Sequence, residues 1–221
     1  MKTLKHLFAN NRTWAKDIRR RDPEFFRKLS KQQAPSYLWI GCSDSRVPAN
    51  QIVGLLPGEM FVHRNLANVI AESDLNCMSV LQFSLDVLKI KHVIVCGHYG
   101  CAGVRAAECG TRLGLPSKWL AHVGHVHKKH ERALASVSGE RARLDRLCEL
   151  NVIEQVRNVC RSRICHAAWE RGQPLCVHGW IYGVGNGLLR DLKVTISSPS
   201  ELKQAYQTAI SAKNCSIPSV R

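Results

Sequence analysis

The sequence lacks any apolar run long enough to cross a membrane or to form the core of a secretion signal. Its apolar stretches are short, such as VIVC at 93–96, whereas a transmembrane helix needs about 20 apolar residues. The stretch MKTLKHLFANNR at the start alternates charged with apolar residues and contains no uninterrupted apolar region. We therefore expect a cytoplasmic protein with no membrane partner.

Acidic residues are scarce beside basic ones, with 17 against 32, and the formal net charge is +15. Such a charge can indicate nucleic-acid binding. Here, however, the basic residues are spread along the chain, and neither a nucleic-acid-binding motif nor interleaved aromatic and basic residues occur. We interpret the charge as a solvated basic surface and expect no nucleic-acid partner.

Repeats and low-complexity linkers are also lacking, so we expect one domain over residues 1–221. Short apolar runs alternate with stretches of helical periodicity. The predicted strands are 36–41, 60–63, 92–96, 174–181 and 194–196, and the predicted helices are 3–21, 22–31, 74–89, 119–135, 140–171 and 200–212. This alternation predicts an α/β fold with a mostly parallel central sheet flanked by helices. We divide the domain into an N-terminal helical arm (1–34), an α/β core (35–198), and a C-terminal helix and tail (199–221).

Cysteine is plentiful, with ten residues in 221. Because no secretion signal accompanies them, free thiols and metal ligands fit better than disulfides. Six of them lie among apolar residues and are interpreted as small core hydrophobes, namely Cys77, Cys96, Cys148, Cys160, Cys165 and Cys176.

Two predicted strands end in reactive side chains. The first ends at Cys42, and the third is followed by His98 and Cys101. If these strands are parallel and adjacent, the three side chains converge at one edge of the sheet, where ligand sites are common. Two thiolates and an imidazole suit zinc, and a fourth position left open is typical of catalysis. An inert core thiol or a structural histidine is the alternative at each position.

The motifs CSDSRVP at 42–48 and HYGCAG at 98–103 resemble those of the β-class carbonic anhydrases in their bacterial, bicarbonate-responsive form. The likeness extends to HRN at 63–65, DLNCMSVLQF at 74–83, ELNVIEQV at 149–156 and HGWIYGVGNGLLRDL at 178–192. The resemblance implies reversible hydration of CO2 to bicarbonate and a proton, with one Zn2+ per chain. It also implies a homodimer or homotetramer whose N-terminal helices embrace the neighbouring subunit.

The resemblance assigns roles around the metal. Cys42, His98 and Cys101 are its zinc ligands, and Asp44 and Arg46 form a catalytic dyad beside the zinc. Zinc-bound hydroxide, available because zinc lowers the pKa of water to roughly 7, attacks CO2. Asp44 orients the zinc-bound water, and Arg46 grips Asp44 at two points, which lysine cannot do. A purely structural ion pair is the alternative for the dyad.

A second set of residues matches the bicarbonate-responsive branch of the family. Trp39, Arg64 and Tyr182 correspond to residues that bind bicarbonate away from the metal. In that branch, bicarbonate or low pH favours Asp44 as a fourth zinc ligand and releases Arg46. The alternative for Trp39 is a core tryptophan.

Weaker expectations concern the substrate pocket. The resemblance places Phe83 and Val87 beside an apolar CO2 pocket, whereas their periodicity alone predicts core positions. Gly103 matches the family, but Ala102 stands where the family usually has glycine, and its methyl group either crowds the pocket or is harmless.

Four histidines also depart from the family pattern. His122, His125, His127 and His130 can form a second metal site or a proton shuttle, but without carboxylate or cysteine partners in the pattern we favour a solvated helix face.

Two rival functions stay open. One is hydrolysis of carbon disulfide or carbonyl sulfide, and the other is a non-catalytic zinc protein with a structural or redox-sensing role.

Overall fold

The structure, a computed structural model, describes residues 3–31 and 33–212. It divides into two compact units, Met1–Ala34 and Pro35–Arg221. The first contains helices α1 (Lys5–Arg21) and α2 (Phe25–Lys31), as predicted. Within it, Trp14 meets Phe26 edge to face at a centroid distance of 5.6 Å, whereas Leu7 and Phe8 are exposed. The arm thus presents apolar side chains to its surroundings.

The second unit is built on a five-stranded sheet with strand order β2-β1-β3-β4-β5. The strands are β1 (Tyr37–Cys42), β2 (Met60–Asn65), β3 (His92–His98), β4 (Cys176–Gly183) and β5 (Leu188–Asp191). The first four are parallel to their neighbours, and β5 is antiparallel to β4. The predicted α/β fold with a mostly parallel sheet is confirmed.

The predicted fifth strand at 194–196 is wrong. The chain reverses directly after β4, where the Gly187 amide donates to the Gly183 carbonyl at 2.7 Å, and β5 follows this turn. Gly187 has φ of +73°, a conformation that glycine adopts without a steric penalty. Ile196 forms only an isolated antiparallel bridge with Val177.

Within the described part of the second unit, eight α-helices flank this sheet. They are α3 (Ala49–Val53), α4 (Leu75–Gln82), α5 (Ala102–Glu108), α6 (Leu115–Lys129), α7 (Glu131–Ala135), α8 (Glu140–Arg161), α9 (Arg163–Glu170) and α10 (Leu202–Ser211). The long α8 packs against β3, and a Cβ placed on Gly97 would lie 2.5 Å from Val152 Cγ2. Glycine between Cys96 and His98 therefore permits close contact of helix and strand beside the predicted ligand.

Three predicted helices are interrupted in the structure. Helix 74–89 changes after Gln82 into a single π turn, Phe83–Val87, in which the Leu88 amide donates to the Phe83 carbonyl. Helix 119–135 begins earlier, at Leu115, and divides at His130. Helix 140–171 ends at Arg161 because Ser162 caps a new helix, accepting from the Cys165 amide at 3.2 Å.

Among the described residues, no helix has the length and apolar character needed to cross a membrane. The predicted C-terminal helix is confirmed as α10, and the tail at 213–221 lies outside the described residues. The division into arm, core and tail within one domain stays a prediction.

Candidate metal centre

Cys42, His98 and Cys101 come together at the carboxyl edge of the sheet. Cys42 ends β1 and His98 ends the adjacent parallel strand β3, and Cys101 lies in the turn before α5. The two sulfurs are 3.9 Å apart, and one ligand atom from each of the three residues lies within 4.8 Å of the others. All three residues are buried. The predicted convergence therefore exists.

The imidazole of His98 has the tautomer and the free lone pair that a metal ligand needs. Its Nδ1 is 3.1 Å from the Tyr99 carbonyl, which can only accept, so Nδ1 carries the proton. Its Nε2 is buried and has no hydrogen-bond partner among the residues that the structure describes. Buried polar atoms rarely stay unpaired, so the donor set of two sulfurs and this nitrogen fits a zinc ion.

The Cys42 thiol is poised to ionise. A hydrogen bond from Cys101 is the largest cause, and it outweighs burial, so that together with contacts from His98 and backbone amides the pKa of Cys42 falls to about 4. Burial acts alone on Cys96 and raises its pKa far above the usual range. The pair Cys42–Cys101 thus stabilises a negative charge where the metal would bind, and Cys96 does not.

Asp44 and Arg46 form a two-point ion pair beside these ligands. Arg46 Nε lies 2.9 Å from Asp44 Oδ1, and Nη2 lies 2.7 Å from Oδ2. The Arg46 side-chain hydrogen bond is the main reason that the pKa of Asp44 is held well below its usual range. Asp44 Oδ2 is also 3.7 Å from His98 Nε2, so the carboxylate borders the proposed metal position.

Arg64 links the second predicted set to the centre. Its Nε donates to the Cys42 carbonyl at 2.8 Å, and its Nη2 donates to the Asp44 carbonyl at 2.5 Å. Arg64 therefore braces the backbone on both sides of Ser43.

Trp39 and Tyr182 share one face of the sheet with Arg64 by strand register. Gly41 pairs with Arg64 on β2 and with Cys96 on β3, and Cys96 pairs with Trp180 on β4. Side chains two residues apart on a strand share a face, so Trp39 lies on the face of Gly41 and Tyr182 on the face of Trp180. Trp39 is fully buried, and its indole lies against the α-carbon of Gly41. The indole nitrogen is buried without a hydrogen-bond partner among the described residues.

Of the residues predicted for the substrate pocket, Gly103 lies near the metal centre, whereas Phe83 and Val87 are exposed. A Cβ on Gly103 would lie 3.8 Å from Cys101 Sγ, so a side chain there would approach the ligand. Ala102 begins α5 and is exposed, so its methyl group is not packed inside the centre. Phe83 and Val87 are 44% and 61% exposed, so their core assignment by periodicity is wrong. Neither of these two side chains lines the cavity that reaches Cys101.

That cavity, of about 980 Å3, gives access to the centre from solvent. Its lining includes Cys101 and three arginines, Arg46, Arg105 and Arg141, and also the carboxylates of Glu140 and Asp145. Charges of both signs therefore line the path from solvent to the centre.

The four histidines do not gather into a metal site within the described part of the chain. His125 is exposed and His122 and His127 are half-buried, as a solvated helix face requires. His130 is buried instead, and its Nε2 lies 2.7 Å from Glu154 Oε1. Burial opposes ionisation of Glu154, but hydrogen bonds from His130, Lys129 and Tyr206 lower its pKa to about 2. His130 therefore has a structural partner.

A polar face of α8 that sequence reasoning missed supports the loop behind Cys42. Ala67 in this loop has φ of +61°, and its amide helps to lower the pKa of Cys42. Asn151 donates to the Ala67 carbonyl at 2.9 Å, and Gln155 accepts from the Ile70 amide at 2.8 Å. The spacing of these polar residues at i and i+4 within ELNVIEQV was the available clue.

A second missed network supports the turn that carries Cys101. Tyr99 donates its hydroxyl to Glu149 at 2.7 Å, and Arg146 and Arg190 pair with the same carboxylate. Buried carboxylates of this kind are stable only when paired. The network anchors the residue next to His98 to α8.

Comparison with known proteins yields consistent matches. The model of the carbonic anhydrase family matches residues 37–189. A carbonic anhydrase of Emericella nidulans is 47% identical over 188 residues, which is 85% of this chain and 82% of that protein. A Coccomyxa β-carbonic anhydrase solved with acetazolamide has a TM-score of 0.88 at 40% identity, covering 96% of this chain and 100% of its own. A tetrameric β-carbonic anhydrase of Sordaria macrospora has a TM-score of 0.83 at 35% identity, covering 89% and 100%.

Proposed function

Because this chain belongs to the β-class carbonic anhydrases, lyases that hydrate CO2, we propose that it does so with one Zn2+ held by Cys42, His98 and Cys101. The observation that carries the proposal is the buried, unpartnered Nε2 of His98 beside two cysteine sulfurs. When bound, zinc supplies a nucleophile at neutral pH by lowering the pKa of water to roughly 7.

The residues around the metal position orient the attacking water and keep bulk water out. Asp44 accepts a hydrogen bond from the attacking water through its Oδ2, which faces the centre. Arg46 holds both oxygens of Asp44 and leaves the carboxylate ionised. Because both cysteine ligands are buried, bulk water is kept from the metal position. The cavity beside Arg46 admits CO2 and releases bicarbonate.

The test is stopped-flow CO2 hydration with zinc-loaded, chelator-stripped and zinc-restored protein. We expect a rate that follows zinc content and returns when zinc is restored. Carbon disulfide and carbonyl sulfide are assayed in parallel, because the same site can act on them. Absence of CO2 turnover in protein with one zinc per chain would contradict the proposal, and turnover of either sulfur compound would then identify the activity.

For regulation, we propose that Asp44 exchanges Arg46 for the metal when bicarbonate binds or the pH falls. The 3.7 Å distance between Asp44 Oδ2 and His98 Nε2 supports this exchange, because the carboxylate already lies beside a proposed metal ligand. Because Arg46 lowers the pKa of Asp44, this carboxylate stays ionised near neutral pH. A fall in activity below pH 7 would then reflect exchange of partners rather than protonation of Asp44.

We propose Trp39, Arg64 and Tyr182 as the bicarbonate site of this switch. The indole N–H of Trp39 is an unsatisfied donor beside Gly41, the residue that pairs with Arg64. An oxyanion would accept this hydrogen bond, and leaving a buried donor unpaired costs about 1–3 kcal/mol. Arg64 donates to the Asp44 carbonyl, so its movement toward an anion would loosen the segment that carries Asp44.

Replacing Trp39 with phenylalanine is expected to weaken bicarbonate inhibition and to flatten the activity profile from about pH 6.5 to 9, a range around the pKa of zinc-bound water. Phenylalanine keeps the apolar ring but lacks the N–H donor. The matched control is Trp180→Phe, on the same face at a centroid distance of 6.5 Å from Trp39. Equal, steep profiles in wild type and Trp39→Phe would contradict the assignment.

We also propose that the chain assembles as a homodimer or homotetramer, with Phe83 and Val87 at a subunit interface near a neighbouring active site. Their exposure on the π turn leaves them uncovered in a single chain, and the similar Sordaria protein is tetrameric. Sedimentation equilibrium should give at least twice the chain mass for wild type. Val87→Arg should shift the protein toward monomer, whereas Leu113→Arg, at another exposed apolar residue, should not. A monomeric wild type would contradict the proposal.

A further inference from the structure

A second group of metal-ligating side chains lies outside the catalytic centre. His63 on β2, Asp74 before α4 and Cys77 in the first turn of α4 each place one ligand atom within 4.8 Å of the others. Sequence reasoning treated Cys77 as a core hydrophobe, and it is 1% exposed. Its position three residues after Asp74 places both at the start of one helix beside His63.

Each member retains a ligand lone pair. Asp74 uses Oδ1 to cap α4 by accepting from the Asn76 amide at 3.1 Å, which leaves Oδ2 for another partner. The amide of Asn65, oriented by two hydrogen bonds to Val69, points its nitrogen at His63 Nε2 from 3.3 Å. His63 Nε2 therefore carries a lone pair rather than a proton. The hydrogen bond from Asn65 is long, so a metal ion can displace it easily.

The electrostatics of the group suit a cation. Burial lowers the pKa of His63, which keeps the imidazole neutral as metal binding requires. Burial and the nearby Asp74 charge raise the pKa of Cys77 to about 12, so its thiol ionises only when a cation compensates. One carboxylate and one thiolate would then cancel the charge of a divalent ion.

A cavity leads to the group from solvent. His63 and Asp74 line an open cavity of about 800 Å3, together with His122. This opening supplies an entry path and room for water at a fourth coordination position. Donors around a tetrahedral ion with bonds of about 2.0–2.3 Å lie about 3.5 Å apart, so any pair of these ligand atoms that is now farther apart would draw together on binding.

We propose that His63, Asp74 and Cys77 form a second metal site for a borderline-soft divalent cation such as Zn2+ or Co2+. Mixed nitrogen, oxygen and sulfur donors select these ions over Mg2+ and Ca2+, which prefer oxygen alone. The site shares no ligand with the group Cys42, His98 and Cys101. It therefore does not require the catalytic assignment to be correct.

The test counts metal ions in intact protein. Protein loaded with a single equivalent of zinc per chain is equilibrated with added Co2+, dialysed and analysed for both metals, and the near-ultraviolet charge-transfer band of a cobalt–thiolate bond is recorded. We expect one zinc and one cobalt per chain in wild type. Asp74→Asn, which keeps a good helix cap but loses the carboxylate, should weaken cobalt binding more than about tenfold. Cys77→Ala should abolish the charge-transfer band.

The matched control is Cys160→Ala, which removes an equally buried thiol elsewhere and should leave the cobalt count and band unchanged. Circular dichroism checks that each variant is folded. Failure of wild type to take up a second metal would overturn the proposal, as would a second metal that persists in both Asp74→Asn and Cys77→Ala. Because the measurement is independent of CO2 hydration, failure of the catalytic proposal would leave its outcome readable.

Discussion

Replacing His98 with alanine is expected to empty the catalytic metal centre and to lower CO2 hydration by at least about a thousandfold, a small part of typical enzymatic acceleration. His98 supplies the only nitrogen among the three ligands, and two cysteines alone do not make an open zinc site. Zinc content and stopped-flow rates are measured on the same samples, so that loss of metal and loss of rate can be correlated.

Two controls separate ligation from folding in the His98 experiment. Cys96→Ala removes another buried side chain from β3, two residues away, and should keep both zinc and activity. Added imidazole should partly restore zinc and rate to His98→Ala by occupying the vacated space. A His98→Ala variant that retains one zinc and the wild-type rate would show that the metal lies elsewhere.

Replacing Asp44 with asparagine is expected to lower the CO2 hydration rate about a hundredfold or more while the zinc content stays at one per chain, as for other positioned acid–base groups. Asparagine is nearly isosteric but carries no charge, so it can neither hold Arg46 as an ion pair nor orient water with a carboxylate. The pH dependence attributed to exchange of partners should disappear as well.

The chain provides a matched control for the Asp44 experiment. Asp191 pairs with Lys193 at 3.6 Å on the surface, and surface pairs contribute little to stability or function. Asp191→Asn should therefore leave the rate unchanged. Arg46→Lys should lower the rate, because lysine cannot hold both carboxylate oxygens of Asp44. Wild-type rates in Asp44→Asn would limit the dyad to a structural ion pair.

The metal ligands were predictable because local sequence and topology agree on them. Alternating strands and helices predict a parallel sheet, and parallel strands bring their carboxyl ends to one edge. Cys42 and His98 occupy two adjacent ends of this kind, so only the pairing of β1 with β3 had to be assumed. The resemblance added Asp44 and Arg46, whose ion pair the structure contains.

The hydrogen bonds that hold the ligand-bearing segments in place were not predictable, because they join segments that are distant in sequence. The strained Ala67 is held by Asn151, which lies 84 residues away in sequence. Tyr99 likewise depends on Glu149 from α8. Periodicity identifies α8 as a helix, but it does not indicate which loop the polar side chains of that helix will reach.

Local turn chemistry accounts for the errors in the fold. The reversal at 183–187 contains the glycines and the asparagine of a tight turn, and this turn places β5 directly after β4 rather than at the β-branched segment 194–196. Ser162 looked like an ordinary helix residue, although serine is a common cap. Phe83 and Val87 followed the apolar period, but periodicity does not separate a core from a subunit interface.

The central claim is that Cys42, His98 and Cys101 hold zinc, and X-ray absorption at the zinc K-edge of protein with one zinc per chain tests it most directly. The account predicts two sulfur neighbours at about 2.3 Å and two nitrogen or oxygen neighbours at about 2.0–2.1 Å. In Cys101→Ser, one of the two sulfur neighbours should disappear. A shell without sulfur, or one unchanged in Cys101→Ser, would contradict the account.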